Sequence, residues 1–353
     1  RLMYEYVRNN VGFVPYFGVK KGANMTLLDG AAGSFDQSAL LVAMLRSAGH
    51  SASFVYGTLS LSAAPVANWL GVWTNADVVS QVLAQGGIPA NVYTSGGSLH
   101  HVDLTHVWVR AVIGGTAYDF DPSLKSHAIM APQLDLPAAM GYDRAAFLGH
   151  ATSGMVSTPE YVQGVNRGLI RADLAACAAN LAGHLRRNLP AASLADALGD
   201  KRIEPQYDAP LLTSLPGHTA GSTWTNVPDG YHSWLRLVYF QGISTDPADQ
   251  QFDVSIPSCQ VYGKRFTLVH EASKPVLRLD GSALVTGATA NWYYNILVFD
   301  VDHPYPAMGG TLYDEQGYAY VKGNAGTYFI QNGWGGTGRR SLEARRQALA
   351  DQI

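Results

Sequence analysis

The sequence predicts an α+β protein of more than one domain, on three observations. A strongly apolar helix opens at Ser34, a strand hairpin runs from Thr105 to Asp121, and from about Tyr207 the chain turns β-rich. Its 353 residues exceed what one ordinary core accommodates. Apolar residues at 47% against 14% charged allow a large core and argue against bulk disorder.

The elements follow in order. Met3, Tyr6 and Val7 suit a short helix over residues 1–10, which Gly12, Pro15 and Gly18 then break. Residues 20–33 read as a loop. Ser34-Phe35-Asp36-Gln37-Ser38 then leads into Ala39-Leu40-Leu41-Val42-Ala43-Met44-Leu45-Arg46. A helix apolar all round belongs at the centre of a domain, and Gly49 is a natural stop. Residues 53–59, with Tyr56, have strand propensity. Short helices are expected at 66–73 and 77–85, and a polar loop at 93–97.

Residues 105–113 read as a strand with two unlike faces. Thr105, Val107, Val109, Ala111 and Ile113 lie on one, and His106, Trp108 and Arg110 on the other. Gly114-Gly115 turns the chain, and Ala117-Tyr118-Asp119-Phe120-Asp121 runs back, which brings Asp121 near His106. Residues 159–189 and 193–199 are helical in pattern. Strands are expected at 234–239, 265–269, 276–279 and 295–299, with Asp280-Gly281 as a hairpin turn. Gly333-Trp334-Gly335-Gly336 precedes a last helix-like run from Ser341, and is too short to be a phosphate loop. These shifts of character divide the chain into a first domain over 1–150, a helical connector over 151–205 and a β-rich, sandwich-like domain over 206–353.

A net charge of −3 and the lack of a basic run argue against a nucleic-acid partner. No apolar stretch reaches the length of a membrane span, and no signal peptide is seen. The chain opens at Arg1 inside one helix-like pattern and closes in another, so a piece of a longer polypeptide is expected. Few Lys and Glu with many Tyr, Trp and Gly suggest an extracytoplasmic protein. Cys177 and Cys259, the latter in a strand-like segment, are simplest as buried small hydrophobes, not a disulfide framework. Adjacent strand residues point to opposite faces, so His100, His101 and His106 are not expected to converge on a metal. No cofactor is expected.

Ser34, His106 and Asp121 have the composition of an acyl-transfer centre: a nucleophile, a base and a group that orients the base. The free N–H groups at a helix start suit an oxyanion. Each residue also has a plainer reading. Ser34 caps a helix, His106 decorates a strand, and Asp121 before Pro122 forms a turn. Trp108 either packs or walls a cleft and offers its N–H to a substrate oxyanion. Tyr56 either packs or lines that cleft.

The 33–46 stretch, Ser51-Ala52-Ser53-Phe54-Val55-Tyr56-Gly57, His106-Val107-Trp108-Val109 and Asp121-Pro122-Ser123 together resemble the core of the transglutaminase-like superfamily over roughly residues 1–150. Shorter patches, such as Tyr6-Val7-Arg8-Asn9-Asn10 and Val261-Tyr262-Gly263-Lys264-Arg265, resemble large bacterial surface or Rhs-type proteins. The resemblance implies a papain-like fold, a protein or peptide substrate attacked at a glutaminyl or peptide amide, His106 as catalytic histidine and Asp121 as its partner. The family's nucleophile is a cysteine twelve residues before the helix arginine. Here that position, counted from Arg46, is Ser34. A thiol can pre-form a thiolate at a helix start, whereas a serine hydroxyl needs its proton removed during attack. Three explanations stay open: an engineered Cys-to-Ser change, a natural serine nucleophile, or a pseudoenzyme that binds peptides or docks within a larger assembly.

Overall fold

The computed structural model describes residues 1–288, 294–304, 315–322 and 327–330, with isolated positions 347, 350 and 351. The glycine-rich run at 333–336 and the run from Ser341 lie outside the described residues. The chain forms two compact units, residues 1–126 with 203–353, and residues 127–202. Contacts thus group the chain differently from composition.

The first unit opens with α1 (Leu2–Asn10), β1 (Gly12–Phe13), α2 (Gly22–Asp29) and β2 (Ala31–Ala32), then α3 (Ser34–Ser47). Residues 20–33 are therefore not all loop. The α2 turns are short and end on Gly30 at φ +70°, and flanking glycines concealed them in the sequence. β3 (Ser51–Ser62), α4 (Ala63–Leu70), α5 (Ala76–Gln85), β4 (Ala90–Ser95), β5 (Ser98–Ile113) and β6 (Thr116–Phe120) follow. β4 includes most of the segment read as a polar loop. It pairs with the first half of β5, and β6 pairs with the second half across the Gly114-Gly115 turn. β3 runs antiparallel along residues 101–112 of β5, with Gly57 opposite His106.

The second unit comprises β7 (His127–Met130), α6 (Leu136–Met140), α7 (Arg144–Thr152), β8 (Val156–Ser157), β9 (Val162–Gln163), α8 (Arg167–Asn188) and α9 (Leu194–Leu198), closed by β10 (Asp200–Ile203), which pairs with β7. Its small core gathers Leu134, Ala139 and Ala197, with Leu181 and Leu185 of α8 and the following Leu189 packed on it.

The first unit resumes with β11 (His218–Trp224), which pairs antiparallel with the outer edge of β3. The early sheet thus has five strands and draws one of them from far along the chain. Among the described residues, eight strands complete the unit in two four-stranded antiparallel sheets. They are β12 (Trp234–Gln241), β13 (Gln250–Pro257), β14 (Phe266–Glu271), β15 (Lys274–Leu279), β16 (Ser282–Thr286), β17 (Tyr294–Asp302), β18 (Glu315–Lys322) and β19 (Thr327–Ile330). Leu237, Tyr239 and Leu297 of one sheet share a core with Phe266, Leu268 and Leu277 of the other, the packing of a sandwich. Cys259 lies in the helical turn α10 (Ser258–Val261), not in a strand.

The largest core surrounds α3. Phe35, Leu41, Val42 and Leu45 pack with Val107, Val109 and Ala111 of β5 and with Phe54 of β3. This is the apolar face of β5 that alternation predicted. The other face of β5 carries the polar chemistry.

Candidate active site

The start of α3 is held from several directions. Asp36, fully buried, accepts hydrogen bonds from the Tyr16 hydroxyl at 2.7 Å and from the backbone N–H groups of Lys20, Lys21 and Gly22 at 2.8–3.1 Å. Burial first, and the neighbouring Asp36 charge second, push the Tyr16 hydroxyl well above its usual range. A carboxylate in the first turn also complements the helix dipole. Gln37 donates to the carbonyls of Ala32 and Gly12. Gly33 occupies the cap position in extended conformation, and Ser34 is the first helical residue. A Cβ on Gly33 would lie 2.8 Å from both the ring and the backbone oxygen of Tyr16, so only glycine fits there.

Ser34 is 7% exposed, and among the described residues its hydroxyl forms no hydrogen bond. It therefore does not act as the cap. One turn on, about 5.4 Å along the axis, Ser38 donates to the carbonyl of Val107, the residue after His106. The second turn of α3 thus lies against β5 beside the residue that follows the histidine. The structure brings His106 and Asp121 into direct contact and leaves Ser34 without a bond to either.

His106 Nε2 stands 2.9 Å from Asp121 Oδ2. The other carboxylate oxygen accepts from the Ser123 N–H, the Ser123 hydroxyl and the Leu124 N–H at 2.7–3.1 Å. A third residue joins from β11: His218 Nε2 is 3.1 Å from the same Oδ2, and its Nδ1 is 2.9 Å from the Pro216 carbonyl. Burial alone would raise the Asp121 carboxyl. The hydrogen bonds from His106 and His218 overcome it and hold the group well below the usual carboxylate range. Burial likewise works to lower His218, but the Asp121 hydrogen bond and charge prevail and raise it. Trp69 covers the cluster, its ring edge-on to His106 and its N–H on the Ser123 carbonyl at 2.8 Å.

The ionised carboxylate is an acceptor only, so the contact places a hydrogen on His106 Nε2, and in the neutral ring Nδ1 is then the bare nitrogen.

Trp108 is buried at 1% exposure, and its N–H donates to Asp119 Oδ2 at 3.3 Å. Asp119 also holds Arg110 through two bonds of 2.7 and 2.8 Å. Trp108 and Arg110 share the His106 face, as alternation predicted. Tyr56 is half-buried and lines a recess of roughly 390 Å³ with Phe17, Tyr231, His232 and Trp234. Burial, aided by Tyr231, pushes its hydroxyl up to about 12. Tyr231 stacks on Phe35, the neighbour of Ser34, with ring centroids 5.8 Å apart, so the recess adjoins the start of α3.

His100 and His101 do approach each other, Nδ1 to Nδ1 at 2.7 Å, at the tip of β5. A register shift between Tyr93 and Thr94 interrupts the alternation there. His106 is not part of that pair.

His218, Ser123 and Lys125 escaped the sequence reading as site residues. Ser123 lay inside a quoted motif without a role. Lys125 is 2% exposed and donates to the Val11 carbonyl and, at 2.9 Å, to Gln37 Oε1. Burial lowers its ammonium to about 7, against an opposing pull from Asp121.

Residues 1–122 match the family model of the transglutaminase-like superfamily. The N-terminal segment is therefore transglutaminase-like, within a superfamily of acyl-transfer and protease-like domains. No curated protein and no solved structure matched the chain. Among the described residues no helix is long and apolar enough to cross a membrane.

Proposed function

We propose that the first unit is an acyl-transfer or amide-hydrolysing centre acting on a glutaminyl or peptide amide, with residue 34 in the nucleophile position. The observation that carries this reading is the His106–Asp121 contact, which leaves Nδ1 of His106 as a base. In the reaction the residue 34 side chain attacks the amide carbonyl and passes its proton to His106 Nδ1. Backbone N–H groups at the start of α3 stabilise the oxyanion. Collapse expels ammonia or an amine, which takes the proton from His106, and leaves an acyl-enzyme. Water or a second amine then resolves it, with His106 again as base. Asp121 orients His106 throughout, and Tyr56 lines the approach. An extracytoplasmic setting fits the low Lys and Glu content. The test is Ser34→Cys, assayed on glutaminyl peptides for ammonia release and amine incorporation. Gain of either supports the reading, and an inert, folded variant counts against it.

A second reading has its own support. His106 is 1% exposed and Asp121 3%, and the serine hydroxyl is bonded to neither. A sealed dyad beside an unactivated hydroxyl suits a pseudoenzyme whose recess binds peptide or docks a partner. Peptide binding by a Ser34→Cys variant that shows no turnover would favour it.

A further inference from the structure

Asp121 is shared by two histidines, and the second comes from outside the segment that matches the family. His218 opens β11, 97 positions after Asp121 in the chain. Its side chain is 3% exposed, and both ring nitrogens face acceptors: the Pro216 carbonyl on one side and the Asp121 carboxylate on the other. A neutral imidazole has one N–H, and a carbonyl and a carboxylate oxygen are acceptors only. Both contacts are satisfied only when His218 carries both protons.

We propose that His218 is a positioning residue of the dyad, an imidazolium that shares Asp121 Oδ2 with His106 and fixes His106 as the neutral tautomer with Nδ1 bare. The proposal rests on the acyl-transfer reading for its purpose but not for its test. The His106 and His218 rings are 6.0 Å apart. A second proton on His106 would place two buried cations on one carboxylate. His218 thus keeps His106 a neutral base, the form that takes a proton from a hydroxyl or a thiol during attack.

The neighbourhood supports this balance. Asp121 is the carboxylate between the rings, and Asp119 adds negative charge near His218, itself spanned by Arg110 and by Trp108, whose ring meets His218 edge-on at 4.8 Å. Around Asp121 stand Lys125, and Tyr4 with Arg8 beside it. The backbone requires the close approach too. A Cβ on Gly57, opposite His106, would fall 2.1 Å from the carbonyl oxygen of Thr219, the residue after His218. Glycine at 57 lets β11 lie near enough for His218 to reach Asp121.

Long-range proton–nitrogen NMR of the imidazole rings tests the proposal on the whole chain at pH 7. His218, assigned by its loss in His218→Gln, should show two protonated nitrogens. His106, assigned by its loss in His106→Ala, should show a protonated Nε2 and a bare Nδ1. In His218→Gln, which can keep one hydrogen bond but not the charge, part of the His106 signal should turn imidazolium at the same pH. His218→Arg should restore the neutral pattern. A neutral His218 in the wild type, or a His106 signal unmoved by His218→Gln, overturns the proposal. So does one equivalent of zinc in the purified protein, because two histidines and an aspartate with ligand atoms within 4.8 Å can also hold a metal. If the variants do not fold, the two rings are assigned in the wild type by their contacts, His218 to the Trp108 ring and His106 to the Trp69 ring, and that spectrum decides alone. Failure of Ser34→Cys to turn over leaves these spectra unchanged, so the two claims fail separately.

Discussion

The imidazole of His106 and the carboxylate of Asp121 meet at 2.9 Å across the β5–β6 hairpin, with every lone pair of the carboxylate matched to a donor. Two strands and a Gly-Gly turn suffice to make that contact. Its burial makes it a structural centre as well as a chemical one.

Asp121→Asn should therefore destabilise the first unit by about 3–5 kcal/mol, the cost of leaving a buried cation without its partner. The carboxyl is held below its unfolded value. Its contribution is complete above the unfolded value of about 4 and is lost as pH falls toward the folded one. Urea unfolding between pH 7 and pH 3 should show a steep acid loss in the wild type and a flatter curve in the variant. Parallel curves would contradict this.

Lys125 predicts a second pH dependence, on the alkaline side. Its ammonium is lowered to about 7, while the unfolded chain holds the proton to about pH 10.4. In that window the unfolded state binds more protons, so stability rises with pH. Relative to Lys125→Met, the wild type should gain on the order of 4 kcal/mol between pH 7 and pH 10. A difference independent of pH would show that Lys125 keeps its proton in the fold.

Gly57→Ala should cost about 1–3 kcal/mol by overpacking. The obstacle is the Thr219 carbonyl, which is backbone and cannot rotate aside. β11 must move, and the His218 imidazole signal should change with it. A variant with wild-type melting temperature and an unchanged His218 signal would contradict the packing argument.

Much of this centre was legible in the sequence. The His106/Trp108/Arg110 face and the Gly-Gly turn place Asp121 beside His106, because strand alternation and a tight hairpin leave few alternatives. The start of α3 was legible from small residues giving way to an apolar run. His218 was not, because β11 is small and polar (His-Thr-Ala-Gly-Ser-Thr-Trp) and pairs with β3 across more than 150 residues of sequence. No local pattern announces a long-range edge strand. β4 and α2 were hidden for local reasons, turn-forming residues within the one and glycines flanking the other. The His100–His101 approach was missed because a bulge breaks the period on which the alternation argument depends.

The central claim is that residue 34 faces a base. The rate of iodoacetamide alkylation at position 34 in Ser34→Cys tests it most directly, compared with Cys177 and Cys259 in the same protein and with the Ser34→Cys/His106→Ala double variant. The account predicts that the introduced thiol reacts faster than both native cysteines at pH 7 and slows at least tenfold when His106 is removed, about 1.4 kcal/mol of activation. Equal rates with and without His106 in folded protein would contradict it.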